Sequence, residues 1–515
     1  MIATSLHAKR IAVIYFVAAV ASIIISFWIS AREVVINPDA ICYVLSAQTI
    51  GTLGIQSAMH LCPQAVWPFY SLLIYHLSQV VHLSLTSSAF LIDGLLTFVS
   101  VCMFIAIVQS LGASQRVLWY AAAVILLSHE FNAVREYIVR DHGFWAFYLA
   151  SIFLLIRFMR EPSWLSAIGW SASLLIATLF RIEGAVFLVF MPFITLLDGR
   201  IAFSQRAYRF TMLSGVTILL IVGVVTWYML HRDATANHLG RLAEFADQVR
   251  NGFSMMLDRY YTMQKGMIEH VLPKEAARDV NVVLFITLVT WYLSNVIGNL
   301  SLIFTLLVLY ALASRAALWT RASTLVIVGY LLINLMITAI FFAEHLFLAK
   351  RYLIAFSLIF MFWVPFALDK LQRKAVFPTY KKAFALSIAM VAMSALGGLF
   401  EFGYSKSYVR DAGDWLAINV PANASLYAND MQLMFYSRHF DGDIFAKLPV
   451  YRDINTIADK KWKQYDYLAL RMSKKREPEI AAVIEHFKMK PIANFKNKRG
   501  DQVLVYQVPR GENAV

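Results

Sequence analysis

The sequence predicts an α-helical polytopic membrane protein of about 11 transmembrane helices, followed by a small C-terminal α/β soluble domain. Hydrophobic residues make up 59% of the chain and charged ones 15%, against roughly half and a quarter in soluble domains. Mean hydropathy is correspondingly high, at +0.61. Apolar runs of about 20 residues, enough to cross roughly 30 Å of hydrocarbon, recur from Ile11 to Phe400. Lipid offers backbone groups no hydrogen-bond partners, so these runs must be helices. After Glu401 the long apolar runs stop, which divides a membrane domain, 1–400, from a soluble domain, 401–515.

The first run, "IAVIYFVAAVASIIISFWIS", follows Lys9 and Arg10 as a signal peptide would. Its length and the missing small-residue cleavage site make it a retained helix instead. Periodicity and length place spans at 11–31, 87–110, 117–133, 143–159, 164–180, 184–198, 210–230, 297–314, 322–343, 351–368 and 383–400. With the N-terminus cytoplasmic, the inner connections collect Arg116; Arg157 and Arg160; Arg200, Arg206 and Arg209; Arg315 and Arg321; and Lys370, Arg373, Lys374, Lys381 and Lys382. The stretch "NVVLFITLVTWYLSNVIGNLSLIFTLLVLYALAS" reads as one crossing with an interfacial lead-in or as two crossings. Two would put the basic loop "DKLQRKAVFPTYKK" outside, so one is expected, with the C-terminal domain on the outer, periplasmic face of a bacterial inner membrane. Arg32 to Thr86 and His231 to Asn281 then form long outer segments.

Topology also accounts for the net charge of +14. The basic residues are not interleaved with aromatic ones as single-stranded nucleic acid requires, and no nucleic-acid partner is expected. The soluble domain should contain a helix in "KSYVRDAGDWLAINV", a strand in "ASLYAND", a second helix, a strand in "YDYLALRM", a helix near Glu477 to Phe487, and strands at "KPIANF" and "DQVLVYQV". It has no glycine-rich phosphate loop, no metal-spaced cysteines and no nucleophile elbow, leaving an acceptor-docking lid or a stabilising cap. Of three cysteines, Cys102 falls in a span; Cys42 and Cys62 share the first outer segment. They are either two reduced buried thiols or a disulfide, whose loop closure would contribute roughly 3 kcal/mol in an oxidising compartment.

Charges beside hydrocarbon are paired, snorkelling or functional, and four groups gather at the outer face. Asp39 stands in "INPDAICYVLSAQ", one helical turn before Tyr43; after a proline it reads as a helix N-cap or as a reactive carboxylate. "VREYIVRDHGFWAF" holds Arg135, Glu136, Arg140 and Asp141, with Glu136 and Arg140 at salt-pair spacing. "LFRIEGAVF" places Arg181 and Glu183 between two spans, and "FFAEHLFLAKRYLIAF" adds Glu344, His345, Lys350, Arg351 and Tyr352. Arginine forks and a lysine beside carboxylates suit a substrate that carries phosphate on a lipid. His142 and His345 receive no role.

Together, "NPDAICYVLSAQ", "WPFYSLLIYHL", "REYIVRDHGFWAF", "ATLFRIEGAVFLVFMP" and "AKRYLIAFSLIF" give the chain a resemblance to GT-C-fold glycosyltransferases, the broad group containing protein O-mannosyltransferases and bacterial aminoarabinose transferases. The resemblance covers nearly the whole chain. It implies transfer of a sugar from a polyprenyl-phosphate carrier to a lipid, glycan or protein acceptor at the outer face, with inversion. Asp39 matches the family's first-loop general base. Asp141 matches the second-loop acid, with Glu136 as competitor. Arg351 and Tyr352 match a phosphate-binding region, Lys350 lies beside it, and Tyr43, Arg135, Arg140, Arg181 and Glu183 complete the expected substrate-binding set. The family's first motif often carries two adjacent acids, and here the second position is Ala40, so no divalent metal and no other cofactor is expected.

A transporter or flippase of a charged lipid or glycolipid is the alternative. It calls for related halves or broken helices around a midplane site, and the sequence reads without either. A noncatalytic envelope scaffold would leave Asp39 and the arginine groups idle.

Overall fold

The computed structural model describes residues 2–230, 240–317, 319–400, 402–439, 461–474 and 489–509. They form a polytopic helical protein with a small C-terminal sheet. Among the described residues, seven helices are long and apolar enough to cross a membrane, and nine if each of two bent helix pairs counts as one span. The expected spans 164–180 and 184–198 appear as the shorter apolar helices Trp164–Phe180 and Glu183–Leu197.

Two features depart from the sequence reading. The apolar stretch expected to cross at 297–314 breaks at Ser301, whose φ of 69° is outside the right-handed helical region. The crossing-length helix precedes that break, within Lys274–Leu300, and Leu302–Ala313 follows as a short helix. Second, broken helices are present: Gln115–Leu126 and His129–Glu136 meet at 49°, and Lys350–Met361 and Val364–Lys374 meet at 41°. The first break is stabilised by the buried Asn132 side chain, which donates to the Leu126 carbonyl at 2.7 Å and so satisfies an orphaned helix-end acceptor. At the second, Pro365 opens the following helix and supplies no backbone donor. The expected helix near Glu477 to Phe487 lies outside the described residues.

Close packing divides the chain into two units. The first comprises Met1–Phe27, Leu91–Glu136 and Arg140–Phe400. Its centre is aromatic, with Trp145, Tyr148, Trp170, Phe187 and Tyr330 fully buried. The Tyr330 hydroxyl meets Ser151 Oγ at 2.7 Å and accepts from Trp170 Nε1 at 3.1 Å, so the polar tips of these large side chains are paired. Helices Asp141–Arg160 and Trp164–Phe180 pack along one another because Gly143 faces the Phe180 ring; a Cβ there would occupy the ring's space.

The second unit comprises Trp28–Phe90, Tyr137–Val139 and Glu401–Val515. Its sheet contains β1 (Leu426–Ala428), β2 (Tyr467–Met472), β3 (Ala493–Lys496) and β4 (Gln502–Gln507), in the order β1-β2-β4-β3. β1 pairs parallel to β2, whereas β2 and β3 both run antiparallel to β4. Val503, Leu504, Val505 and Tyr506 are buried, making β4 the central hydrophobic strand. Helices Ser407–Asn419 and Met431–Ser437 cover the sheet, and Arg471 of β2 links them through Tyr408 Oη at 3.2 Å, Asp430 at 2.7 Å and Gln432 at 2.9 Å. In the same unit Ile36 donates to the Tyr436 hydroxyl at 2.9 Å, and its carbonyl accepts from Gln432 at 2.7 Å.

Candidate active site

Two groups of the expected residues are assembled, one in each unit. In the first unit the residue of greatest consequence is Arg181, held in extended conformation between helices Trp164–Phe180 and Glu183–Phe190. Gly184 permits that tight reversal, since a Cβ would meet the Thr178 backbone nitrogen at 2.7 Å. The guanidinium binds Asp141 and Glu183 simultaneously; its Nε donates to Glu183 Oε1 at 3.1 Å. Burial works against the charge on Arg181, but the two carboxylates outweigh it and hold the proton more firmly than usual.

Arg140 and Arg351 lie within electrostatic range of Asp141, and Arg140 also acts on Glu183. Three guanidiniums therefore act on Asp141, and two of them, those of Arg181 and Arg140, act on Glu183 as well. Tyr352 completes the group: Arg181 sits 4.7 Å and Arg351 5.3 Å from its ring centroid. A cleft lined by Arg181, Glu183, Arg351, Tyr352, Asn334 and Phe341 opens here, with about 40 Å³ of free space. That volume admits water, not a sugar.

The remaining first-unit residues are placed elsewhere. Lys350 donates to Glu130 at 2.6 Å. Arg135 is buried and donates to the Ser22 carbonyl at 3.0 Å, Ser26 Oγ at 2.7 Å and Asn132 Oδ1 at 3.0 Å, without lining the cleft. Glu136 is half-buried in the 3-10 turn Val134–Glu136. Asn299 donates to the Lys350 carbonyl at 2.7 Å and accepts from Ser357 at 2.6 Å, fixing the turn that carries Lys350, Arg351 and Tyr352.

In the second unit Asp39 occupies the first turn of helix Pro38–Met59. It is not the N-cap. Asn37 is, and its side chain instead pairs with Ile138, accepting from the backbone N–H at 2.9 Å. Asp39 Oδ1 accepts from Gln64 Nε2 at 3.1 Å. Cys42 and Cys62 are joined as a disulfide, with Cα atoms 6.2 Å apart. The bond ties the helix bearing Asp39 to the segment bearing Gln64. Tyr43 packs edge-on against Tyr70 at 5.0 Å, buried with it. Gln64 was not anticipated, because a lone glutamine in an outer loop carries no spacing signal.

The comparisons with solved proteins bear on the arrangement of these helices. Over 96% of its length the chain superposes on ArnT from Cupriavidus metallidurans, solved with undecaprenyl phosphate bound, covering 97% of that protein at 14% identity and a TM-score of 0.54. The chain has the GT-C fold. The Archaeoglobus fulgidus oligosaccharyltransferase, solved with zinc and sulfate, gives the same TM-score of 0.54 at 13% identity, over 96% of this chain and 73% of that one. The mycobacterial arabinofuranosyltransferase AftD gives 0.50 at 14% identity, over 97% of this chain but 42% of its own. No family model and no curated protein sequence matches the chain.

Proposed function

We propose that this integral membrane protein is a glycosyltransferase that moves a sugar from a polyprenyl-phosphate carrier to a lipid, glycan or protein acceptor, at the outer face of a bacterial inner membrane and with inversion. The observation that carries the proposal is the cluster of three guanidiniums around Asp141 within a GT-C fold. Guanidiniums suit an anionic phosphate, and Arg181 is already oriented by Asp141, Glu183 and Tyr352.

Asp39 is the general base in this reading. Its carboxylate takes the proton of the acceptor hydroxyl as that oxygen bonds to the anomeric carbon. The bond from carbon to the phosphate oxygen breaks, and its electron pair leaves with the carrier phosphate. No acid is needed for a leaving group that is already a good anion, but the developing charge is stabilised by Arg351 and Arg181. No divalent metal takes part.

The test is mass spectrometry of envelope lipids and glycoconjugates from cells lacking the protein, rescued with the original chain or Asp39→Asn. Loss of one sugar mass, restored by the original chain alone and insensitive to EDTA in isolated membranes, is the expected result. Full restoration by Asp39→Asn would remove that aspartate from the chemistry. An unchanged glycome in cells that normally express the protein would overturn the transferase reading.

A further inference from the structure

The second unit contains a cavity of about 820 Å³ that none of the roles above uses. Its size falls in the range of roughly 300–1,000 Å³ that encloses small-molecule ligands. Helix Pro38–Met59 contributes Leu45 and Gln48, the start of helix Leu85–Ser110 contributes Ser84 and Ser87, and the C-terminal domain contributes Arg410, Asp414, Tyr436 and Arg438.

These residues are chemically mixed in an informative way. Two guanidiniums and one carboxylate line the cavity, and the Glu33 carboxylate acts on Tyr436 from nearby. Arg410 is held in place by Asp414 at 3.5 Å, by the Val34 carbonyl at 3.3 Å and by the Tyr436 ring at 5.0 Å. Arg438 is different. It caps helix Met431–Ser437 in the left-handed region, φ 58°, its side chain is exposed, and among the described residues its guanidinium has no hydrogen bond or ion pair. The Tyr436 hydroxyl is already engaged by Ile36, so this residue offers the cavity its ring rather than its oxygen. Gln48 and the Ser84–Ser87 hydroxyl pair, 2.8 Å apart, add neutral donors and acceptors.

Aromatic surface beside amide and hydroxyl groups suits the alternating C–H and O–H faces of a sugar, and a free guanidinium suits a carboxylate or phosphate on it. We propose that this cavity binds a short anionic saccharide, with Arg438 as the residue that contacts its charged group. Its role as the acceptor rests on the transferase reading; its binding does not.

The experiment is equilibrium binding to the full chain in nanodiscs, with trigalacturonate, glucose 6-phosphate, maltotriose and inorganic phosphate as separate probes. At least one anionic saccharide should bind saturably, and Arg438→Gln should weaken it about tenfold, the loss expected for one charge-assisted hydrogen bond. Equal binding of maltotriose, equal binding of inorganic phosphate, indifference to Arg438→Gln, or no binding of either anionic saccharide would each overturn the proposal. Binding that persists in a protein shown to transfer no sugar would remove the transferase reading and leave the saccharide site standing.

Discussion

Removing the Arg181 side chain would leave Asp141 and Glu183 facing one another in a space where their side chains are only 6% and 25% exposed. Breaking a buried ion pair from one side typically costs about 3–5 kcal/mol, because the uncompensated charge stays behind. Arg181→Ala should therefore lower the melting temperature of the detergent-solubilised protein strongly. Adding Asp141→Asn and Glu183→Gln to that variant should recover much of the loss; no recovery would mean that Arg181 stabilises by packing on Tyr352 and Phe144. For the same reason, Arg351→Gln is the more useful variant for kinetics. The charged members of this cluster were readable in the sequence because charge beside an apolar run is rare. Their neutral supports were not. Gln64, Asn132 and Asn299 look ordinary in a linear reading, and Asn299 finds its partner 51 residues away.

At the scale of elements, the spans were readable wherever an apolar run was continuous and bounded by charge. The breaks were not. Asn132 and Ser301 act through backbone geometry that periodicity averages over, and Pro365 sits within an otherwise persuasive apolar run. The glycines behave similarly: Gly143 is one of several in spans, and only the structure shows the Phe180 ring against it. Gly143→Ala should destabilise the pairing of helices Asp141–Arg160 and Trp164–Phe180 by about 1–3 kcal/mol, the usual effect of overpacking. It should also disturb Asp141, two residues away, and so the ion pair with Arg181. Thermal unfolding of Gly143→Ala with and without Phe180→Leu checks this. Relief by the smaller side chain is expected, and an unchanged melting temperature in Gly143→Ala would show that the helices can separate without loss.

At the scale of the whole molecule, the proposed orientation is testable through two facts within the second unit. In the outer-face orientation proposed above, the Cys42–Cys62 disulfide lies in a compartment that keeps cysteines oxidised. Glu401–Val515 packs in the same unit as Trp28–Phe90, through Ile36 with Tyr436 and Gln432, so that orientation puts the C-terminal domain in the same compartment. The basic connection containing Arg373 should then lie on the opposite, cytoplasmic side. Cysteine labelling separates the two faces. In a chain with Cys102→Ser, Ile418→Cys introduces a thiol at a site 81% exposed in the C-terminal domain, and Arg373→Cys introduces one at a site 62% exposed in the basic connection. A membrane-impermeant maleimide added to intact spheroplasts should modify the first and reach the second only after lysis. The reverse pattern would put the disulfide in the reducing compartment and invert the expected topology, and with it the face at which a lipid-linked sugar would be delivered.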